Sequence, residues 1–195
     1  MKRVEAADRW NARYSKGFEP FPDRPSEWLV EHRVLLGGSG RALDVACGNG
    51  RNAAYLARLG YEVDAIDASD VAIDALRAAA CERGLAVSAR VVDLEREPLP
   101  PGPYDVIVTM NFLQRDLFGR LQAVLAPGGL LFYETLGTSH VEELGHSFNP
   151  EYLLERGELL RAFGSLEVLA HHEGVAQRAG GPRGVESIVA RASAA

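Results

Sequence analysis

Apolar positions along this chain switch between a helical period and short unbroken runs, and that alternation sets the expected elements. Residues 4–17 predict an amphipathic helix carrying Val4, Trp10 and Tyr14, with Gly17 placed to end it. The segment Phe18–Pro25 holds three prolines and two aromatic rings, so it predicts neither helix nor central strand. It suits either a cover over a pocket or a pin that ties the N-terminal arm to the body. Ser26 reads as the N-cap of a second helix over 27–36, with Trp28, Leu29, Leu35 and Leu36 as its apolar residues. Gly37-Gly38-Ser39-Gly40 is a flexible link.

From there strands and helices alternate. Residues 42–46 form a run buried on both faces, as in a parallel sheet. Ala53, Leu56 and Ala57 then fall on one helix face. A strand at 61–66 precedes a helix at 70–83, with Ser69 as N-cap and Gly84 as its end. A strand at 86–92 leads into an acidic, proline-rich loop over 95–103. Next come a strand at 104–109, a helix at 115–125, a turn at 126–129 and a strand at 130–135. The order predicts an α/β fold, a doubly wound and mostly parallel sheet with right-handed crossovers. Residues 136–149 are a long polar loop, of a length that is usually functional or mobile. Residues 150–163 read as mostly helical, with Gly157 as a restart. Runs at 165–171 and 185–190, separated by the glycine-rich segment Ala179–Gly184, predict a terminal hairpin. No repeat is visible, so 1–195 reads as one domain, with 1–37 a helical arm and 38–195 the core.

Composition narrows the function classes. A length of 195 residues suits one domain with a substantial core. The net charge of −6 argues against nucleic acid and against an anionic membrane surface. No apolar run approaches the roughly 20 residues of a membrane span. The opening Met1-Lys2-Arg3-Val4-Glu5 turns charged where a signal peptide turns apolar. Two cysteines, Cys47 and Cys81, make no disulfide framework, and the expected location is the cytoplasm.

The chemistry centres on Ala42-Leu43-Asp44-Val45-Ala46-Cys47-Gly48-Asn49-Gly50-Arg51-Asn52-Ala53, a strand, a two-glycine turn and a helix start. Gly48 and Gly50 let the backbone turn tightly and let a ligand approach it. The unpaired amides of the helix start point over the turn. Read as Gly48-x-Gly50-x-x-Ala53, the turn also fits the dinucleotide fingerprint, so a nicotinamide oxidoreductase is one reading. The acids point elsewhere. Asp44 sits badly beside a pyrophosphate and well beside an ammonium group. Asp67 ends the next run and suits a pair of ribose hydroxyls. Asp93 ends the third run, so three successive strands close on a carboxylate.

The loop Asp44–Gly50, the acids Asp67 and Asp93, and Pro127-Gly128-Gly129 before a late strand resemble the class I S-adenosylmethionine (SAM) methyltransferases. Ala46 departs from the pattern, because the family often has its first glycine there. The resemblance implies a seven-stranded sheet with an antiparallel C-terminal strand and SAM as the cofactor. It implies cofactor contacts from Asp44, Ala46, Cys47, Gly48, Asn49, Gly50, Asp67, Ala68, Asp93, Leu94 and Asn111. Asp44 would orient the loop or face the ammonium group, Asp67 would take the ribose hydroxyls, and Asp93 with the Leu94 amide would meet the adenine. Asn111 would border the methionine carboxylate and the acceptor.

Within that family the runs Cys47–Asn52, Gly60–Asp67, Arg90–Leu94 and Gly157–Arg161 are similar to the tellurite-resistance and thiopurine-type small-molecule methyltransferases. That similarity implies a chalcogen oxyanion or a thiol as acceptor. Neither an Asn/Asp-Pro-Pro-Tyr/Phe segment after the fourth strand nor a Pro-Cys nucleophile occurs, and both absences point to a small molecule. The candidate acceptor pocket is Tyr14, Phe18, Tyr133 and Phe148, bordered by Asn111. Glu134 and His146 are the candidates should a base be needed. Cys47 reads as a packing residue. His171-His172 alternates faces on a strand, and His140 with His146 matches no metal spacing, so no metal is expected. A SAM-binding sensor without turnover is the other alternative.

Overall fold

The computed structural model describes residues 6–15 and 18–194. Val4 and Gly17, placed near the two ends of the expected first helix, lie outside the described residues. The strands are β1 (Arg41–Val45), β2 (Glu62–Asp67), β3 (Val87–Val91), β4 (Tyr104–Met110), β5 (Leu125–Leu136), β6 (Glu167–Arg178) and β7 (Gly181–Arg191). They form one sheet in the order β3-β2-β1-β4-β5-β7-β6. β1 to β5 pair in parallel, and β7 runs antiparallel to both β5 and β6. The α/β, mostly parallel seven-stranded sheet with an antiparallel C-terminal strand is therefore as expected.

Alternation along the strands divides the core into two layers. Ala42, Val106, Val108 and Phe132 face one layer, with Leu56, Ile73, Leu76, Trp28 and Leu29. Leu43, Val45, Ile107, Leu131 and Tyr133 face the other, with Leu117, Leu121, Leu159 and Phe163. The helices that fill these layers are α1 (Ala6–Tyr14), α2 (Glu27–Glu31), α3 (Arg51–Arg58), α4 (Asp70–Arg83), α5 (Leu117–Ala123), α6 (Ser139–Glu142) and α7 (Glu158–Ala162). The bounds of α4 are those expected. Ser69 Oγ accepts from the Ala72 amide at 3.1 Å, and Gly84 closes the helix in the left-handed region at φ 60°.

Several elements differ from the sequence reading, each for a local reason. The helix expected over 27–36 is only α2 followed by a 3-10 turn over Arg33–Leu35. Ser26 precedes α2 without a side-chain cap; its amide donates instead to the buried Asn52 Oδ1 at 2.8 Å. The turn at 126–129 is absorbed into β5 as an irregularity, with the register jumping from Tyr104 opposite Leu125 to Val106 opposite Leu130. The 136–149 loop contains α6, and 150–163 is a 3-10 turn and α7 rather than one helix. The terminal hairpin is much longer than expected, because the glycine-rich segment is mostly strand and only Ala179 and Gly180 connect β6 to β7.

The proline-rich segment is a pin. Phe21 is buried, its amide donates to Asn49 O at 2.8 Å, and its ring lies where a Cβ on Gly50 would sit, at 2.6 Å. The chain leaves β1 through Ala46 at φ 52°, a left-handed conformation that costs an L-residue roughly 1–2 kcal/mol. The family glycine at this place answers a backbone demand, which size alone does not reveal. Ala46→Gly should stabilise the protein by up to about 1 kcal/mol, relief of strain exceeding the extra freedom of glycine in the unfolded chain. Urea unfolding measures it; a loss of about 1 kcal/mol, the usual cost of Ala→Gly, would contradict the assignment.

Candidate functional site

Parallel strands that end together leave their carboxyl ends, and the loops that follow, along one edge. Asp44, Asp67 and Asn111 meet there. Asp44 is 1% exposed and accepts from the Ala53 amide at 2.9 Å, which anchors the first turn of α3. Asp67 is 6% exposed and accepts from Gly48 at 2.9 Å and from Ser69 at 3.0 Å, tying the glycine turn to the start of α4. Burial raises both carboxyls, Asp44 to about 7, although the amide bonds and, for Asp44, the charge of Arg51 pull the other way. Neither forms an ion pair among the described residues. Two nearly sealed carboxylates beside a glycine turn favour a cationic ligand and disfavour a pyrophosphate.

The turn itself is left-handed at Gly48 and Gly50, φ 54° and 73°, and its floor carries no side chain there. Tyr14 of α1 lies above it, its hydroxyl 2.9 Å from the position a Gly48 Cβ would take. Burial and Asp67 keep that hydroxyl protonated. Phe18 packs edge-on against Tyr14 at 5.1 Å. Asn11 fastens α1 to the same edge, accepting from Ser69 Oγ at 2.5 Å and donating to Asp70 at 2.7 Å. Cys47 is buried and its thiol pushed far up by burial and by Asp44, which suits packing and not nucleophilic attack. Asp93 is half-buried at the end of the β3 run; it accepts from the Glu95 amide at 3.0 Å and pairs with Arg96 at 3.5 Å. Leu94 is buried beside it, and Ala46, Asn49 and Ala68 line the same bends.

The expected acceptor residues separate. Tyr133 is fully buried in the second apolar layer between Phe118 and Phe163, and its hydroxyl donates to Phe112 O at 2.8 Å, so it is core and not pocket. Phe148 is 42% exposed against the His140 ring, away from the cavity beside Asn111. His146 is exposed, bonds His140 and does not line that cavity either. Glu134 does line it, but its carboxylate is held by Arg178 at 2.6 and 3.1 Å and accepts from Ser187 Oγ at 2.7 Å. A carboxylate so committed is a poor general base, which corrects the candidate role for Glu134.

The cavity measures about 60 Å³ and brings together Arg51, Arg178 and Arg183 with Glu27, Asn111 and Glu134. Arg183 Nη1 donates to Asn111 Oδ1 at 2.7 Å. The half-buried Arg51 makes no hydrogen bond or ion pair among the described residues. These three arginines were missed by the sequence reading. A signal was present, since Arg178 and Arg183 bracket the glycine-rich turn of the hairpin and Arg51 follows Gly50. His171, Glu173 and Glu186 also lie close enough to hold a cation. Their carboxylates are already spent on the start of α7, accepting from Gly157 at 2.6 Å, Glu158 at 3.1 Å and Leu159 at 3.0 Å.

Comparison with known proteins adds to this geometry. A family model described as a methyltransferase domain matches residues 42–129. A ubiquinone biosynthesis O-methyltransferase of Burkholderia multivorans is 30% identical over 164 residues, spanning 80% of this chain and 69% of that protein. Another from Caulobacter sp. is 35% identical over 102 residues, 49% of this chain and 40% of that protein. Among solved structures, TehB from Haemophilus influenzae superimposes with a TM-score of 0.76 at 20% identity, covering 94% of this chain and 67% of that one. A SAM-dependent methyltransferase from Aquifex aeolicus gives 0.67 at 18% identity, covering 93% and 97%.

Asp44 generates a prediction with two readouts. Its folded-state value near 7 lies above the unfolded value of about 3.9, so the ligand-free fold is favoured by acid and loses that contribution as pH rises through about 7. Asp44→Asn keeps an acceptor for the Ala53 amide but carries no charge. At about pH 8 it should raise the melting temperature of the ligand-free protein and weaken S-adenosylhomocysteine binding about tenfold or more. A lower melting temperature with unchanged affinity would contradict both halves.

Proposed function

The chain belongs to the class I SAM-dependent methyltransferases, and on that premise we propose that it methylates a small anionic acceptor, a chalcogen oxyanion or a thiolate, held by arginines beside Asn111. Membership removes the nicotinamide oxidoreductase and the non-catalytic sensor from consideration. The donor set fits the cofactor, because the buried Asp44 and Asp67, offset only by backbone amides and, at Asp44, by the charge of Arg51, call for further positive charge. In this reading Asp67 holds the ribose hydroxyls, Asp44 faces the ammonium group, and Asp93 with Leu94 borders the adenine. The Gly48–Gly50 turn, with Ala46, Cys47, Asn49 and Ala68, shapes the floor, and Asn111 stands between cofactor and acceptor. Bound SAM would supply a sulfonium methyl activated for in-line displacement by an acceptor lone pair, with S-adenosylhomocysteine as the leaving group.

The observation that carries the acceptor class is the half-buried Arg51, whose charge reaches Asp44 but whose side chain makes no hydrogen bond or ion pair among the described residues, opening on the same cavity as Arg178 and Arg183. A guanidinium left unpaired in a partly desolvated cavity matches an oxyanion in charge and in hydrogen-bond geometry. Arg183 spends one donor on Asn111, whereas Arg178 is largely committed to Glu134, so Arg51 and Arg183 are the contacts that remain for a ligand. An acceptor that arrives as an anion needs positioning and little proton transfer, in keeping with a cavity whose Glu134 is paired and whose Glu27 accepts from the Ala179 amide at 2.6 Å. Phenol O-methylation is the second reading, favoured by the 30% identity to the Burkholderia multivorans enzyme. It would need a base that the cavity does not offer free.

The test is S-adenosylhomocysteine release with selenite, tellurite, an aromatic thiol and a catechol as acceptors. Turnover is expected with the first three. Arg183→Ala should raise KM for selenite about tenfold to a hundredfold while S-adenosylhomocysteine affinity stays within about threefold. Turnover on the catechol alone, or a KM indifferent to Arg183, would overturn the anionic acceptor.

A further inference from the structure

The loop that follows β5 meets the start of β7 through one histidine. His140 of α6 is 8% exposed, and its Nδ1 accepts from the Gly184 amide at 3.2 Å. Its Nε2 lies 3.1 Å from Nδ1 of His146. An amide donating into Nδ1 leaves the proton of a neutral ring on Nε2, so His140 donates to His146 Nδ1. The chain of donors therefore runs one way, from Gly184 through His140 to His146. A second proton on either ring turns an acceptor into a donor facing another donor, and one of the two bonds is lost.

Gly184 is where this matters. A Cβ there would come within 2.0 Å of the His140 backbone nitrogen, so β7 and α6 are in direct backbone contact. The Gly184 carbonyl accepts from Gly137 at 3.1 Å. The preceding residue is Arg183, whose guanidinium reaches Asn111 at 2.7 Å. The position of a cavity arginine is thus set one residue from the bond that His140 makes. The charged groups facing His140 are Arg183 from β7 and His146 from the loop, and both, with burial, push its proton affinity down. The acids of neighbouring elements have partners of their own. Glu142 pairs with Arg156, and Glu173 and Glu186 serve the start of α7.

We propose that His140 is a positioning residue for the acceptor cavity: paired with His146 in its neutral, Nε2-protonated form, it clamps Gly184 and so holds Arg183 against Asn111, and mild acid opens the clamp and weakens anion binding. The idea rests on the cavity being the acceptor site. It also opposes the simplest electrostatic expectation, in which a new imidazolium beside Arg183 strengthens anion binding.

Selenate is the probe, because it keeps its double negative charge across the whole range and has no selenium lone pair to methylate. Its affinity is measured on the full chain with S-adenosylhomocysteine bound, at about pH 7.5 and about pH 5.5, together with the His140 tautomer by nitrogen NMR. The native protein should bind selenate more weakly at the lower pH and show an Nε2-protonated His140 at the higher. His140→Phe removes the acceptor for Gly184 and should weaken selenate about tenfold at both values. His140→Asn places a non-titrating oxygen near the Nδ1 position and should restore neutral-pH affinity with no drop in acid. If the Phe variant does not fold, the flat profile of the Asn variant still decides. Selenate binding that strengthens in acid, an acid drop that survives in His140→Asn, or an Nδ1-protonated His140 would overturn the clamp alone. Failure of the native protein to bind selenate at either pH would overturn the acceptor reading, and the clamp with it.

Discussion

Two carboxylates buried at the edge of a parallel sheet, neither in an ion pair among the described residues, are the constraint from which the rest of this structure is organised. Asp44 and Asp67 are the last polar groups before the crevice, and desolvation holds both above their ordinary range. Each is tolerated because backbone amides point at it. Ala53 at the start of α3 serves Asp44, while Gly48 and Ser69 serve Asp67. The same bonds bend the chain from β1 into α3 and from β2 into α4. The acids shape the glycine loop through these bonds and also favour a cation beside it, so local folding and the proposed ligand preference have one cause.

Much of this was legible along the chain. The period of apolar positions, the Ser69 cap and the Gly84 stop located α4 to the residue, because each signal is local. The acids at the ends of three successive apolar runs pointed to the edge where the proposed cofactor contacts lie, because a parallel sheet brings strand ends together. Ala46 was read by size, whereas what the position asks of a residue is a positive φ, a property that only the folded backbone displays.

The acceptor side was hard to read for a different reason. Tyr133 and Glu134 are neighbours on β5, yet alternation sends one into the second apolar layer and the other to Arg178. Which of two adjacent strand residues faces a cavity depends on register, and β5 carries an irregularity that shifts register just before them. The arginines come from the far end of the chain, where a glycine-rich stretch resembled a connection and is instead paired strand. Local composition does not reveal that pairing.

Topology supplies the remaining step. β6 runs in the direction of the parallel strands, so its last residues arrive at the ligand edge, and an antiparallel β7 must begin there. The turn between them is thereby delivered to the crevice by the single reversal of direction in the sheet. Arg178 and Arg183 sit on either side of that turn, and the Glu27 carboxylate grips it from α2 through the Ala179 amide. In the proposed site, the cofactor half is built by strands that end and the acceptor half by a hairpin that turns back. The first half is constrained by the buried acids of the central strands. The second is free to vary in the residues that flank one two-residue turn, which is where a fold of this kind can change its acceptor without disturbing its cofactor.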